Sequence, residues 1–242
     1  MKKTVFVLAF GAALGLLAAG LPAAASHSWG NYHWARTSNP FTLKLGDNVT
    51  SEWDTYLVEA SNDWNPSKVL DTTIVAGQAG NTKTCKTTAG RVEVCNAKYG
   101  NNGWLGVAGI SVSGGHITAA YVKLNDTYFT KPTYNKPEWR RLVMCQEIAH
   151  AFGLDHQDEN FNNANLGTCM DYTNTPLGPP SNERPNAHDF DQIEAIYSHT
   201  DSTTTVGASA PGGPGNKGGS SVRHEQVDAN GNGAVTWTFY VR

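Results

Sequence analysis

The sequence predicts an α/β (α+β) protein: a twisted, mostly parallel sheet of five strands with an antiparallel edge strand, two main helices behind it, a smaller subdomain after Gly153 and a short β tail. Three observations predict it. Runs rich in β-branched or alternating apolar residues recur at 41–45, 69–76, 91–97, 106–112 and 116–124. A helical pattern interrupts them at 51–65, and a longer one follows them at 137–153. A Gly-, Ser-, Pro- and Thr-rich stretch then separates the main body from a last alternating segment, 235–241.

The elements are justified in chain order. Residues 1–25 stand apart: Lys2 and Lys3 precede an apolar run over 5–21, and Ala23-Ala24-Ala25 offers small residues for cleavage. They read as a secretory signal peptide, which implies an extracellular protein, and no other segment is apolar enough to cross a bilayer. Removing them leaves 16 basic and 21 acidic residues, a net charge of −5, which argues against a nucleic-acid partner.

Phe41-Thr-Leu-Lys-Leu45 alternates as a first strand. In the helix after it, Ser51 is a candidate cap and Trp53, Tyr56, Leu57, Ala60 and Trp64 recur at helical spacing. Residues 77–89 read as loop, Ser113-Gly114-Gly115 as the turn joining the last two strands, and 125–134 as loop. Pro137 suits a first helical position, Trp139, Leu142, Ala149 and Phe152 mark an apolar face, and Gly153 is a natural stop. Asn186 opens a final helix to 197, with Asp189 placed for a capping interaction. The domain reading is therefore a signal at 1–25, one domain at 26–200, a flexible linker at 201–221 and a β-hairpin tail at 222–242. Asp228-Ala-Asn-Gly-Asn-Gly233 matches the first half of a calcium loop, but the twelfth position is Phe239, so an Asn-Gly turn is expected instead.

Four cysteines, Cys85, Cys95, Cys145 and Cys169, suggest two disulfides in an exported chain. Three pairings are possible; Cys85 with Cys95 and Cys145 with Cys169 is the favoured set. A four-cysteine zinc site is disfavoured because no Cys-x-x-Cys pair is present.

The chemistry concentrates in Gln146-Glu147-Ile148-Ala149-His150-Ala151-Phe152-Gly153-Leu154-Asp155-His156. On a helix, Gln146 and His150 are one turn apart on one face, with Glu147 beside them. Gly153 lets the backbone leave the helix, so that His156 swings back toward the same point. Two imidazoles and a carboxamide would then converge on one ion and leave a position open, as catalytic rather than structural zinc requires.

This segment resembles the metzincin metallopeptidases, the matrixin-like branch most closely. The family motif is His-Glu-x-x-His-x-x-Gly-x-x-His, and every fixed position matches except the first, where Gln146 replaces His. Cys169-Met170-Asp171-Tyr172 looks like the family's Met-turn. Tyr172 lies two residues past Met170, as in the astacin-like and serralysin-like branches, where that tyrosine touches the metal or the oxyanion. The resemblance implies a zinc endopeptidase acting on protein or peptide substrates, with Gln146, His150 and His156 as zinc ligands and Glu147 as general base. It also implies an extended substrate laid along residues 116–124, and it leads to the expectation of a monomer. A Cys145–Cys169 bridge would pin the active-site helix to the Met-turn. Two other readings remain at this point: a non-catalytic metal- or protein-binding relative, and a metal hydrolase with a non-peptide substrate. His33, His116 and His188 could each complete the metal shell, but a polar surface role is the better reading of His188 at the start of the last helix and exposure in a turn that of His116; His27, His199 and His224 are expected to be solvated. Asp155 and Asp158 flank His156 and could orient it.

Overall fold

A computed structural model describes residues 27–78, 80, 82–208 and 223–241. The signal peptide expected at 1–25 and most of the expected linker, 209–221, lie outside these residues.

Each predicted strand and helix is present, within a few residues. The strands are β1 (His33–Trp34), β2 (Phe41–Asn48), β3 (Leu70–Ala76), β4 (Val92–Ala97), β5 (Trp104–Ser113), β6 (His116–Asn125), β7 (Arg223–Val227) and β8 (Gly233–Tyr240). The helices are α1 (Asp54–Trp64), α2 (Asp126–Phe129), α3 (Pro137–His150) and α4 (Ala187–Ile196). The two-residue β1 and the single-turn α2, which falls within the loop expected at 125–134, are too short for periodicity to show.

The sheet runs β3-β2-β4-β6-β5-β8-β7, with β1 added beside β6. β2, β3, β4 and β6 are mutually parallel, and β5 runs antiparallel to β6. Residues 116–124 are therefore an interior strand, flanked by β4 and β5. That corrects the expectation that an extended substrate lies along them: both of that strand's hydrogen-bonding edges are in use. The antiparallel strand is β5, and β8 pairs with its outer edge from Trp104↔Tyr240 to Val112↔Gly233. The C-terminal hairpin thus continues the main sheet. Its turn is the expected one, with Asp228 Oδ1 accepting from the N–H groups of Asn230 and Asn232.

The start of the expected linker is docked rather than loose. Asp201 N–H donates to Arg36 O, Thr205 N–H to Ala35 O and Gly207 N–H to Gly90 O, so these residues are fastened to the body.

One core lies between the sheet and α1 and α3, with Leu43, Leu45, Val92, Val94, Ile117 and Val122 of the strands packed against Leu57, Trp64, Leu142 and Ile148 of the helices. Trp64 fixes the helix pair: its ring is fully buried and its indole N–H donates to Cys145 O at 3.3 Å. Burying such a ring in α1 stabilises the fold by a few kcal/mol and holds α3 against α1. Both favoured disulfides are formed, Cys85–Cys95 and Cys145–Cys169.

Candidate active site

α3 supplies the first half of the site. Gln146, Glu147 and His150 lie in its last turns and are 0 %, 0 % and 1 % exposed. Residues beyond the helix supply the second half, and Gly153 makes that possible. Its φ is +100°, and a Cβ there would sit 2.4 Å from Tyr32 O, so both the conformation and the close approach demand glycine. The chain then crosses under the N-terminal segment, with Trp29 N–H donating to Gly153 O and Asp155 N–H to His27 O.

The turn brings His156 back to His150. Their Nε2 atoms are 3.0 Å apart and the rings stand edge to face, at an interplanar angle of 87°. His150 Nδ1 lies 2.8 Å from Leu154 O. A carbonyl only accepts, so Nδ1 carries the hydrogen and Nε2 presents its lone pair. His156 Nδ1 faces Glu159 Oε1 at 3.4 Å and Asp155 Oδ1 at 3.8 Å. Glu159, rather than Asp158, is thus the acid that joins Asp155 beside this imidazole. With His150 Nε2 as the lone pair, their separation fits a hydrogen bond from the Nε2–H tautomer of His156, and it is also close to the roughly 3.3 Å between two nitrogens sharing a tetrahedral ion.

Gln146 divides its side chain. Nε2 donates to Cys169 O at 2.7 Å, while Oε1 is buried without a hydrogen-bond partner. Gln146 Oε1 is thus an unpartnered neutral acceptor one helical turn before His150 on α3, and two imidazoles with a neutral oxygen are a donor set that suits zinc.

Glu147 turns toward the sheet. A Cβ on Gly106 of β5 would lie 2.5 Å from its Oε1, so only glycine lets β5 pass this close to the carboxylate. Neither Glu147 oxygen meets a partner at ordinary hydrogen-bond geometry. Burial pushes its pKa well above the carboxylate range, offset in part by the Ala108 backbone. Burial likewise holds His150 well below its usual pKa, with His156 adding to the effect, and lowers His156 to about 3. Both imidazoles are therefore in the neutral form that binds metal.

Residues 169–172, the segment expected as a Met-turn, are tied to the same helix. Met170 O accepts from Gln157 N–H at 2.7 Å, and the Cys145–Cys169 bridge ties this turn to α3 one residue before Gln146. Asp189 at the start of α4 accepts from Thr168 Oγ1 at 2.5 Å and from Gln157 Nε2 at 2.7 Å, which fixes the same turn from the other side. The Tyr172 ring packs 4.2 Å from that of His156, and its hydroxyl faces Thr238 O at 3.5 Å. Burial raises the Tyr172 pKa, so the hydroxyl stays protonated.

Sequence reasoning missed what covers the site. Trp237 of β8 stacks on His150 at 5.6 Å with 17° between planes, and meets His156 edge-on at 4.7 Å. Phe239 packs against Tyr172 at 5.3 Å. Trp29 approaches His150 from the N-terminal side at 5.8 Å. The inward alternation of Val235, Trp237 and Phe239 was visible in the sequence; its destination was not. One histidine departs from expectation: His27 is buried, 3.7 Å from Asp189 and stacked on His188. His33 and His116 lie instead beside Asp201, away from His150.

No protein-family model matches the chain, and no curated protein matches it. Among solved structures it is similar to high choriolytic enzyme 1, a hatching enzyme zinc-protease from Oryzias latipes (medaka fish), at 11 % identity and a TM-score of 0.37, covering 69 % of this chain and 94 % of that one. It is also similar to myroilysin in two structures. One has 11 % identity, TM-score 0.36 and coverage of 69 % and 97 %; the other has 10 %, 0.35, and 72 % and 87 %.

Proposed function

We propose that this chain is a secreted, zinc-dependent endopeptidase of metzincin type whose centre is closed in this structure by its own C-terminal hairpin. The observation that carries the reading is the His150–His156 pair. Two neutral imidazoles stand with their Nε2 atoms 3.0 Å apart, and the last turns of α3 also carry the unpartnered Gln146 Oε1 and the fully buried Glu147.

Gln146, His150 and His156 would hold the ion. The chemistry that bound zinc supplies is polarisation of a scissile carbonyl and a lowered pKa for water, toward about 7. Glu147, which a bound cation nearby would favour in its ionised form, would take a proton from the attacking water on a carboxylate oxygen and return it to the departing amine. Tyr172 keeps its hydroxyl proton and donates a hydrogen bond toward the developing negative charge. Leu154 O and the Glu159 carboxylate orient the two imidazoles.

The hairpin makes the closed state a latent one. β8 occupies the outer edge of β5, where an extended peptide would add as a strand, and Trp237 covers both imidazoles. Substrate entry requires β8 to leave that edge.

The test is cleavage of an unstructured protein at neutral pH, with and without a chelator. Cleavage is expected to be lost with the chelator and restored by zinc, and Glu147→Ala is expected to lower kcat by at least about a hundredfold. Cleavage that persists with the chelator removes the zinc mechanism; full activity in Glu147→Ala removes the general base. The closed site also favours a second reading, a non-catalytic binding protein, which takes over if neither wild type nor a hairpin-weakened Trp237→Ala chain cleaves anything.

A further inference from the structure

A second cluster of imidazoles lies away from His150 and His156. β1 pairs in parallel with β6, so that His33 and His116 are register partners with side chains on one face. Beyond α4 the chain turns back over β1 and adds His199 and Asp201. Asp201 Oδ1 lies 3.3 Å from His116 Nε2, 3.5 Å from His33 Nε2 and 3.7 Å from His199 Nε2. His199 Nε2 and His33 Nε2 are 3.2 Å apart.

These separations do not describe a hydrogen-bonded cluster. Each nitrogen–oxygen distance exceeds the 2.7–3.2 Å range of a sound N–H···O bond. One carboxylate oxygen does not serve three donors well, and the spacing places two Nε2 atoms against each other. For three of the donors they do fit one ion: the ligand atoms of His33, His116 and Asp201 all lie within 4.8 Å of one another, a group that His199 does not join. With metal–nitrogen distances of 2.0–2.1 Å, neighbouring donors of a tetrahedral ion stand about 3.3–3.4 Å apart.

The surroundings set the donors as ligation needs. His33 Nδ1 is 2.9 Å from Asn31 O, so it carries the hydrogen and leaves the Nε2 lone pair facing the cluster. Arg36 takes the other Asp201 oxygen, with its backbone N–H at 3.1 Å and its guanidinium at 3.0 Å from Oδ2, and the guanidinium also donates to His199 O. Oδ1 is thereby turned toward the three imidazoles. The group is partly buried, with side-chain exposures of 13 % for His33 and 12 % for Asp201. His33 and His199 also line an open cleft of roughly 350 Å³, which gives an ion a route in.

We propose that His33, His116 and Asp201 form a metal site for one tetrahedral divalent ion of the zinc class. Two imidazoles beside a carboxylate select a borderline-soft ion over calcium or magnesium, and three protein donors leave the fourth position to water. The ion joins three separate stretches of chain: the N-terminal strand, the start of β6 and the segment after α4. It fixes the point from which the chain departs toward the covering hairpin. The proposal does not rest on the hydrolase reading.

The test is zinc titration of the full chain carrying His150→Ala and His156→Ala, which removes the imidazoles of the first centre. One equivalent of zinc is expected to bind at neutral pH and raise Tm, with cobalt giving the visible absorption of a tetrahedral ion. Adding His33→Ala and His116→Ala should weaken that binding by more than about a hundredfold and abolish the Tm rise, with circular dichroism unchanged. No zinc bound by the first chain, or binding indifferent to the added pair, overturns the proposal. If the first chain does not fold, wild type is compared with His116→Ala, whose side chain is 32 % exposed. Total zinc should fall by one equivalent, and an unchanged total overturns the proposal.

Discussion

Gln146 gives its amide hydrogen to Cys169 O and keeps its carbonyl oxygen buried and unpartnered. An imidazole divides its two nitrogens the same way, one N–H and one lone pair, so glutamine can replace histidine here without rebuilding the turn. It is the weaker zinc donor. Gln146→His should therefore tighten zinc at this centre by about tenfold or more, read by competition with a chromophoric chelator. An unchanged affinity would mean that Gln146 is not a ligand. Gly106 is the other residue whose size matters. A Cβ there would meet Glu147 Oε1 at 2.5 Å and Val143 Cγ1 at 2.6 Å, and both belong to the packed α3. Gly106→Ala should cost about 1–3 kcal/mol in denaturant unfolding, as overpacking does. A neutral result would show that β5 stands further from Glu147 than described.

At the scale of elements, the site depends on how α3, the Met-turn and α4 are tied. Cys145–Cys169 links the first two, and Asp189 reaches the second from the capping box it forms with Asn186. Opening the bridge with Cys145→Ser and Cys169→Ser should cost about 2–4 kcal/mol and weaken zinc binding. Asn186→Ala should cost about 1 kcal/mol, as loss of a cap does, and leave zinc affinity nearly unchanged, because Asp189 keeps Thr168 and Gln157. Equal effects of both changes on zinc would contradict this division. Much of this scale was legible in the sequence. The β-branched runs, the helical spacing from Trp53 to Trp64, Pro137, Gly153 and the Asn186–Asp189 cap all carry local signals, and the elements stand where those signals put them. Strand order is not a local signal. β5 and β6 both read as buried strands joined by a Gly-Gly turn, and nothing in either says which lies inside. Only the pairing with β4 decides it.

At the scale of the whole molecule, the least legible feature is the one that closes the site. The segment 235–241 alternates like any amphipathic strand, and a Gly- and Ser-rich stretch before it suggests independence. Yet β8 pairs along β5, Trp237 stacks on His150, and Tyr32 donates to Glu225 of β7. Such long-range partners leave no mark in local spacing. The same holds for His199 and Asp201, which meet His33 across more than 160 residues of sequence. The coupling between hairpin and centre also bears most directly on the account. The measurement is the rate of peptide-bond cleavage in an unstructured protein, compared between wild type and Trp237→Ala at equal zinc, each with a chelator control. The account predicts that Trp237→Ala cleaves at least about tenfold faster, since losing a buried tryptophan removes several kcal/mol from the closed state, and that the chelator abolishes the gain. A Trp237→Ala chain that folds, binds zinc at His150 and His156 and cleaves no faster than wild type would contradict it.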